Sequence, residues 1–225
     1  MNWEDEGFII SKRKFRENAI IIEVFTNNFG RVSGIVYGGN SRKIKNYLQL
    51  VNKIHVVYKS KSENKTGYFS TELIEAISAK YFNDRKKTLC INALSSILKI
   101  LLPENQSQKK VYNSLNILLN NFSEKNWLKN YLEWEINLIN NLGFGFEIDT
   151  KNQNLSNGKK TLSMKIDNID YQIPLFLISE KKQDIGIDDI FNGLMFSRSL
   201  MLNKFFNPNN LKFPYSRVLL EKKIY

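Results

Sequence analysis

Apolar and polar positions alternate along the first third of the chain and settle into a longer period afterwards. From Gly7 to about Phe69, short runs rich in Ile, Val, Phe and Tyr are separated by turn-forming residues, as in strands. The pattern predicts strands over Gly7–Phe15, Ala19–Thr26, Arg31–Tyr37, Val51–Tyr58 and Thr66–Phe69. Within Ala19–Thr26, Ile20, Ile22 and Val24 fall on one side and Glu23 on the other, because successive strand side chains point to opposite faces. Asn27-Asn28-Phe29-Gly30 tolerates positive φ and predicts a hairpin to the next strand. Five short strands with close turns suggest a small barrel.

After Ser70 the apolar period becomes about 3.6, that of amphipathic helices. Ile91, Leu94, Ile97, Leu98 and Leu101 make one stripe, ended by Pro103. Val111, Leu115, Leu118, Leu119 and Phe122 make a second. A third, wider stripe holds Trp127, Leu128, Tyr131, Leu132, Leu138, Ile139 and Leu142, with Gly143 suited to its C-terminal cap. Glu147 to Asp170 is polar, and Asn157-Gly158 offers a turn between two short strands. A last helix is predicted over Ile187–Phe206 with Ile190, Phe191, Leu194, Met195, Leu202 and Phe205 inward. Pro208 and Pro214 are expected to stop regular structure. The fold class is therefore α+β: a barrel domain over residues 1–75, then a helical domain over 76–225 with a polar insertion around 146–175.

Charge adds a partner to this picture. Thirty-three Lys and Arg against twenty-two Asp and Glu give a net charge of +11 and a pI near 9.5. Such an excess favours a polyanion, because basic surface releases counterions from phosphate backbones. The first eighty residues hold thirteen of the cations and eight of the acids. There Lys12, Arg13, Lys14 and Arg16, then Arg31, then Arg42, Lys43 and Lys45 after Gly38-Gly39 form the richest constellation. Glycines allow close approach to a phosphate chain, and arginine presents a fork of donors matched to its oxygens. Phe29 and Tyr37 lie among these charges and offer rings on which bases stack. Taken singly, each cation reads as a solvated side chain and each ring as hairpin packing. As a cluster beside a barrel, they read as a nucleic-acid interface.

Other chemistry finds little support. Cys90 is the sole cysteine and His55 the sole histidine, so neither a disulfide nor a cysteine-cluster zinc site is expected. His55 reads as a packed or rim residue and Cys90 as a small buried one. Asp188 and Asp189 suit a helix N-terminus. Asp167 with Asp170, and Glu133 with Glu135, lack a third ligand, and no phosphate-loop or dinucleotide glycine motif is present. An enzyme is not expected, nor any cofactor. No apolar run reaches membrane-spanning length, and Met1-Asn2-Trp3-Glu4-Asp5-Glu6 lacks the form of a signal peptide, so the expected location is cytoplasmic. Arg198 falls on the apolar stripe of the last helix, where a long cation must pair, snorkel or bind something.

Several segments, in order, resemble the RecO family of bacterial recombination mediators. They are Trp3-Glu4-Asp5-Glu6-Gly7-Phe8-Ile9-Ile10-Ser11, Glu17-Asn18-Ala19, Val24-Phe25-Thr26 and Phe29-Gly30-Arg31. Most specific is Gly38-Gly39-Asn40-Ser41-Arg42-Lys43 followed by Leu48-Gln49; Leu142-Gly143-Phe144 and the ending from Arg198 through Phe206, Pro208, Pro214 and Arg217 complete the likeness. The resemblance implies an oligonucleotide-binding (OB) barrel, a helical domain and a small C-terminal element. It also implies single-stranded DNA binding, with duplex DNA as a further candidate, ATP-independent strand annealing, and a nucleoid-associated place of work. The implied partners are RecR, the C-terminal tail of single-strand-binding protein and, indirectly, RecA. DNA-facing cations would map onto Arg31, Arg42 and Lys43. For that tail, Lys125 and Lys129, one helical turn apart and flanking Trp127 and Leu128, offer a pairing of charge with apolar contact by their spacing alone. Many relatives carry a cysteine cluster after the Leu-Gly-Phe segment; Glu147–Leu162 has none, so the insertion is expected to be zinc-free. Two other readings stay open: an RNA-binding barrel protein of translation or RNA maturation, and an adaptor between protein partners.

Overall fold

The computed structural model describes residues 2–61, 66–145, 161–178 and 185–224. It divides into two compact units, Met1–Asn113 with Pro214–Leu220, and Ser114–Phe213 with Glu221–Tyr225.

The first unit is built on five strands, β1 (Asn2–Arg16), β2 (Ala19–Thr26), β3 (Gly30–Tyr37), β4 (Lys53–Lys59) and β5 (Gly67–Glu75). They close in the order β1-β2-β3-β5-β4, with β3 and β5 parallel and the other pairs antiparallel. A closed five-stranded barrel of this kind is OB-like, and with the helices after it the chain is α+β as expected. β1 closes the barrel by using its two halves differently. Asn2–Phe8 pairs with β4, whereas Gly7–Arg16 pairs with β2. The strand thus begins five residues before Gly7, where acidic residues hide its apolar signal. Gly7 stands where both partners meet, and a Cβ there would lie 2.5 Å from Val24 Cγ1.

Ile20, Ile22 and Val24 point into the barrel with Ile9, Val32, Val36, Leu48, Ile54, Val56 and Phe69. Each such side chain contributes about 1.5–3 kcal/mol on full burial. Glu23 does face the other way, but β2 is buried on both sides, so its outer face is a second packing surface. Phe25 on that face meets the ring of Tyr112 at 5.6 Å. α2 (Arg85–Leu101) buries Ile91, Leu94, Ile97 and Leu98 and stops before Pro103.

Besides the early start of β1, β4 begins at Lys53 rather than Val51, and three further features depart from the sequence reading. β5 runs to Glu75 rather than ending at Phe69, since its polar Ser70, Thr71 and Glu72 obscure the period of two. A short helix, α1 (Arg42–Tyr47), follows Gly38-Gly39, where the sequence pattern predicts no element. Pro214 does not stop regular structure but starts it: α6 (Tyr215–Ile224) follows, and the Pro214 carbonyl accepts from Arg217 N at 3.0 Å. Fixed φ and a missing N–H suit a helix start as well as a stop.

α3 (Lys109–Asn120) begins in the first unit and ends in the second, burying Val111, Leu115, Leu118 and Leu119. In the second unit α4 (Trp127–Ile139) buries Tyr131, Leu132, Leu138 and Ile139, and its last turn reaches Gly143, whose φ of 87° is the left-handed cap conformation. β6 (Thr161–Ile166) and β7 (Ile169–Pro174) form a hairpin turned by Asp167 and Asn168, with φ of 48° and 65°. Positive φ at both central residues is the type I′ pattern. Asn157-Gly158 lies outside the described residues, as does most of the polar insertion. α5 (Ile187–Met201) continues as a wider turn to Phe206. Its inward face holds Ile190, Leu194, Phe196, Leu200 and Met201, so Met195, expected inward, is exposed. Arg198 resolves its conflict by pairing with Glu221 at 3.1 Å.

Candidate nucleic-acid interface

The two ends of β1 carry opposite charge, and the structure treats them differently. At the acidic start, Glu6 pairs with Lys53 at 2.7 Å, Glu4 lies 3.9 Å from His55, and Asp5 accepts from Asn28 N at 2.8 Å. At the basic end, Lys12, Arg13, Lys14 and Arg16 are exposed, and none has a carboxylate in ion-pairing range among the described residues. The same holds for Arg42, Lys43 and Lys45 on α1. The acids of the barrel are largely paired from within, whereas these seven cations keep their charge unmatched by a carboxylate among the described residues.

The motif Gly38-Gly39-Asn40-Ser41 assembles them. Gly38 has φ of 69°, which turns the chain after β3. A Cβ on Gly39 would sit 2.5 Å from Ile20 Cγ1 and 3.0 Å from Val36 O, so only glycine lets this turn lie on the barrel. Asn40 Nδ2 donates to Glu17 O at 2.6 Å and Arg16 O at 3.4 Å, tying the turn to the β1–β2 hairpin. Ser41 caps α1, its Oγ accepting from Ile44 N at 3.5 Å. Leu48 then plugs the barrel, and Lys12 Nζ donates to Leu48 O at 3.0 Å and to Gln49 Oε1 at 2.6 Å. The glycines therefore serve the chain's own close packing rather than an approach to phosphate.

The product is a groove of about 300 Å³ lined by Lys12, Arg13, Lys14 and Lys45 together with Ile20, Gly39, Asn40 and Leu48. Partial burial, and then the neighbouring Lys45, hold the Lys12 ammonium below its ordinary pKa. Positive charge crowded into a half-buried site is relieved by an anion. Arg42 and Lys43 stand exposed on the first turn of α1, next in sequence to the groove wall, and Arg16 lies over the Phe15 ring at 5.1 Å.

Arg31 and Phe29 are placed elsewhere. Arg31 Nη1 pairs with Glu23 at 2.8 Å and Glu104 at 3.2 Å, and its Nε donates to Leu102 O at 2.9 Å. Lys99 completes the cluster, 3.0 Å from Glu23. Burial alone would raise the Glu23 carboxyl, but the Arg31 and Lys99 hydrogen bonds outweigh it and its pKa is lowered. Arg31 is thereby committed to joining β2 and β3 to the end of α2. Phe29 stacks on Trp3 at 4.1 Å, leaving that ring face filled. Tyr37 is exposed, beside an exposed Tyr68 that the sequence reading did not single out. Tyr68 was detectable in principle, because it alternates with the inward Gly67 and Phe69.

In the second unit, Lys125 lies in the turn before α4 rather than on it, and Lys129 pairs with Glu133. Trp127 packs edge-on against Phe122 at 5.3 Å. Asp167 pairs with Lys204, and buried Glu135 accepts from the Tyr131 and Ser197 hydroxyls. Among the described residues no three His, Cys, Asp or Glu side chains gather as metal ligands, and no helix is long and apolar enough to cross a membrane.

Comparison with known proteins gives a concordant result. Residues 1–77 match the family "Recombination protein O N terminal" and residues 83–154 match "Recombination protein O C terminal". The DNA repair protein RecO of Ehrlichia chaffeensis is 34% identical over 163 residues, 69% of this chain and 66% of that protein. Those of Roseobacter denitrificans and Wolbachia pipientis are 33% and 32% identical over 150 residues, 66% of this chain and 62% of theirs. The matched regions thus span less than two thirds of those relatives' length. Among solved structures, Entamoeba histolytica asparaginyl-tRNA synthetase is similar over 95% of this chain and 59% of that one at 10% identity, but with a TM-score of 0.32, too low to speak to the fold.

Proposed function

This chain belongs to the RecO family of DNA repair proteins, and from that premise we propose that it binds single-stranded DNA on the basic end of its barrel and anneals complementary strands without ATP. It acts as a mediator rather than an enzyme, working with RecR to load RecA onto strands covered by single-strand-binding protein. The observation that carries this reading is the cluster of seven cations without carboxylate partners among the described residues: Lys12, Arg13, Lys14 and Lys45 around the groove, with Arg16, Arg42 and Lys43 beside it. Phosphates supply the missing counter-charge, and contacts of that kind position a strand without reading its bases. Arg31, neutralised by Glu23 and Glu104, has a supporting part only.

Annealing of complementary oligonucleotides without nucleotide, with and without single-strand-binding protein, tests the reading. The expected outcome is acceleration in both cases and tighter binding to single-stranded DNA than to matched RNA. No acceleration, or a preference for RNA, overturns it in favour of a partner adaptor or an RNA-binding barrel. The acidic tail of single-strand-binding protein is proposed to dock near Lys125, Lys129 and Trp127, pairing charge with apolar contact. Lys125→Glu with Lys129→Glu should abolish tail-peptide binding in a folded protein; unchanged binding moves the docking site elsewhere.

A further inference from the structure

We infer that Tyr37 and Tyr68 form a base-stacking platform beside the basic groove, and that this platform makes the interface prefer unpaired strands over duplex. The inference rests on the proposed DNA-binding role of the groove and adds to it the contact that senses bases. β3 alternates inward and outward, which sends Val36 into the core and Tyr37 out. β5 does the same, with Gly67 and Phe69 inward and Tyr68 out. The two strands pair in parallel with Ile35 opposite Tyr68, so both tyrosines stand on one outer face. Their rings lie 6.2 Å apart at 59° to each other, and the residues are 61% and 42% exposed.

Two large rings side by side, both open to water, make a flat apolar patch rimmed by charge, which is a surface suited to a flat partner. Cross-strand pairing of two tyrosines is a sufficient reason for their contact, but not for leaving both so open. Their surroundings say what covers them. Tyr37 lies opposite Ala19, which lies opposite Arg16, so the ring is two strands from that cation. It also directly precedes the Gly38-Gly39 turn that walls the groove. On the other flank, exposed Lys59 is the cross-strand partner of Tyr68. Rings set between exposed cations fit a polymer that alternates flat apolar faces with negative charge, which is a single nucleic-acid strand. The tilt between the rings prevents a base from being sandwiched between them, so each ring takes one base on its open face. A base within a duplex has both faces already stacked, and only an unpaired strand can use the platform.

The backbone that carries Tyr68 is held in place independently of any ligand. Gly67 N donates to Tyr58 Oη at 3.1 Å, and a Cβ on Gly67 would be 2.5 Å from the Tyr58 ring, so the start of β5 is fixed against β4. A strand fixed in advance presents its ring at a set position.

The test is Tyr37→Ala with Tyr68→Ala in the full chain, alongside Tyr37→Phe with Tyr68→Phe and the single Tyr37→Ala, all titrated against oligo-dT, an abasic strand of equal length, and duplex. Folding is checked by circular dichroism; should the double variant fail to fold, Tyr37→Ala, at the most exposed of these rings, carries the test. Stacking is worth roughly 1–3 kcal/mol per base, about tenfold in affinity per ring lost. The double alanine variant should therefore bind oligo-dT about a hundredfold more weakly. Its salt slope and its duplex and abasic-strand affinities should match wild type, and the phenylalanine variant should bind as wild type does. Unchanged oligo-dT affinity overturns the inference, and so does an equal loss on oligo-dT and abasic strands. If wild-type protein binds neither single strand nor duplex, the DNA-binding reading itself fails, a result distinct from failure of the platform alone.

Discussion

At the level of single residues, ionisable groups divide into those the fold consumes and those it leaves open, and each kind makes its own prediction. Glu23 is consumed: its side chain is 10% exposed and sits between Arg31 and Lys99. Replacing it with Gln removes a carboxylate from Arg31 and Lys99, at a cost of about 2 kcal/mol in urea denaturation at pH 7, although Arg31 keeps Glu104. Because the Glu23 pKa is lowered in the folded state, its contribution is present above the ordinary carboxyl value of 4.5 and lost as pH falls through its folded value. The gap between wild type and Glu23→Gln should thus close on acidification; a gap independent of pH contradicts this role. Lys12 is left open. Burial and Lys45 lower its pKa, and a bound phosphate would raise it again. Binding should therefore weaken as pH rises through the lowered Lys12 value, and Lys12→Arg should remove that weakening, since guanidinium stays charged. Affinity that falls identically in both proteins removes Lys12 from the interface.

At the level of elements, much of the barrel was legible and its surroundings less so. β2 was predicted with its final boundaries because Ile20, Ile22 and Val24 alternate between clear turn residues. The first half of β1 was not, since a strand paired with β4 and lined with Glu4, Asp5 and Glu6 has no apolar period to read. α1 escaped notice for a different reason: six residues with no buried member leave no stripe, and the helix is held by Ser41 and by Leu48 beyond it. Its basic residues are plain in the sequence, but their placement on a helix is not. This placement is testable through Gly39→Ala, whose new Cβ would meet Ile20 Cγ1 at 2.5 Å. The turn must shift, with a stability cost of about 1–3 kcal/mol, and Arg42 and Lys43 shift with it. Weaker oligo-dT binding at a salt concentration where the variant is fully folded is the expected outcome; unaltered stability and binding contradict the close approach.

At the level of the molecule, the +11 charge indicated a polyanion but not where it binds. The location emerges from which charges are already matched, and that depends on contacts distant in sequence. Arg31 illustrates the point: its partner Glu104 lies seventy-three positions away, so Arg31 and Arg42 are indistinguishable in the sequence although their surroundings differ. Likewise Tyr37 and Phe29 are equal in the sequence, and only the stacking of Trp3 on Phe29 separates them. One cysteine and one histidine also bear on the whole chain, since a zinc site would need more ligands of that kind. Protein purified without chelator should hold no stoichiometric zinc, and chelation should leave its thermal transition in place.

The central claim, that the unpaired cations at the basic end of the barrel hold the phosphates of a single strand, is tested most directly by the salt dependence of oligo-dT binding. Each phosphate contact on a single strand contributes a slope of about 0.7 to the plot of log affinity against log salt. Arg42→Ala, Lys43→Ala and Lys45→Ala together should flatten the slope by roughly 2 in a protein whose circular dichroism is unchanged. A folded triple variant with wild-type slope and affinity would contradict the account.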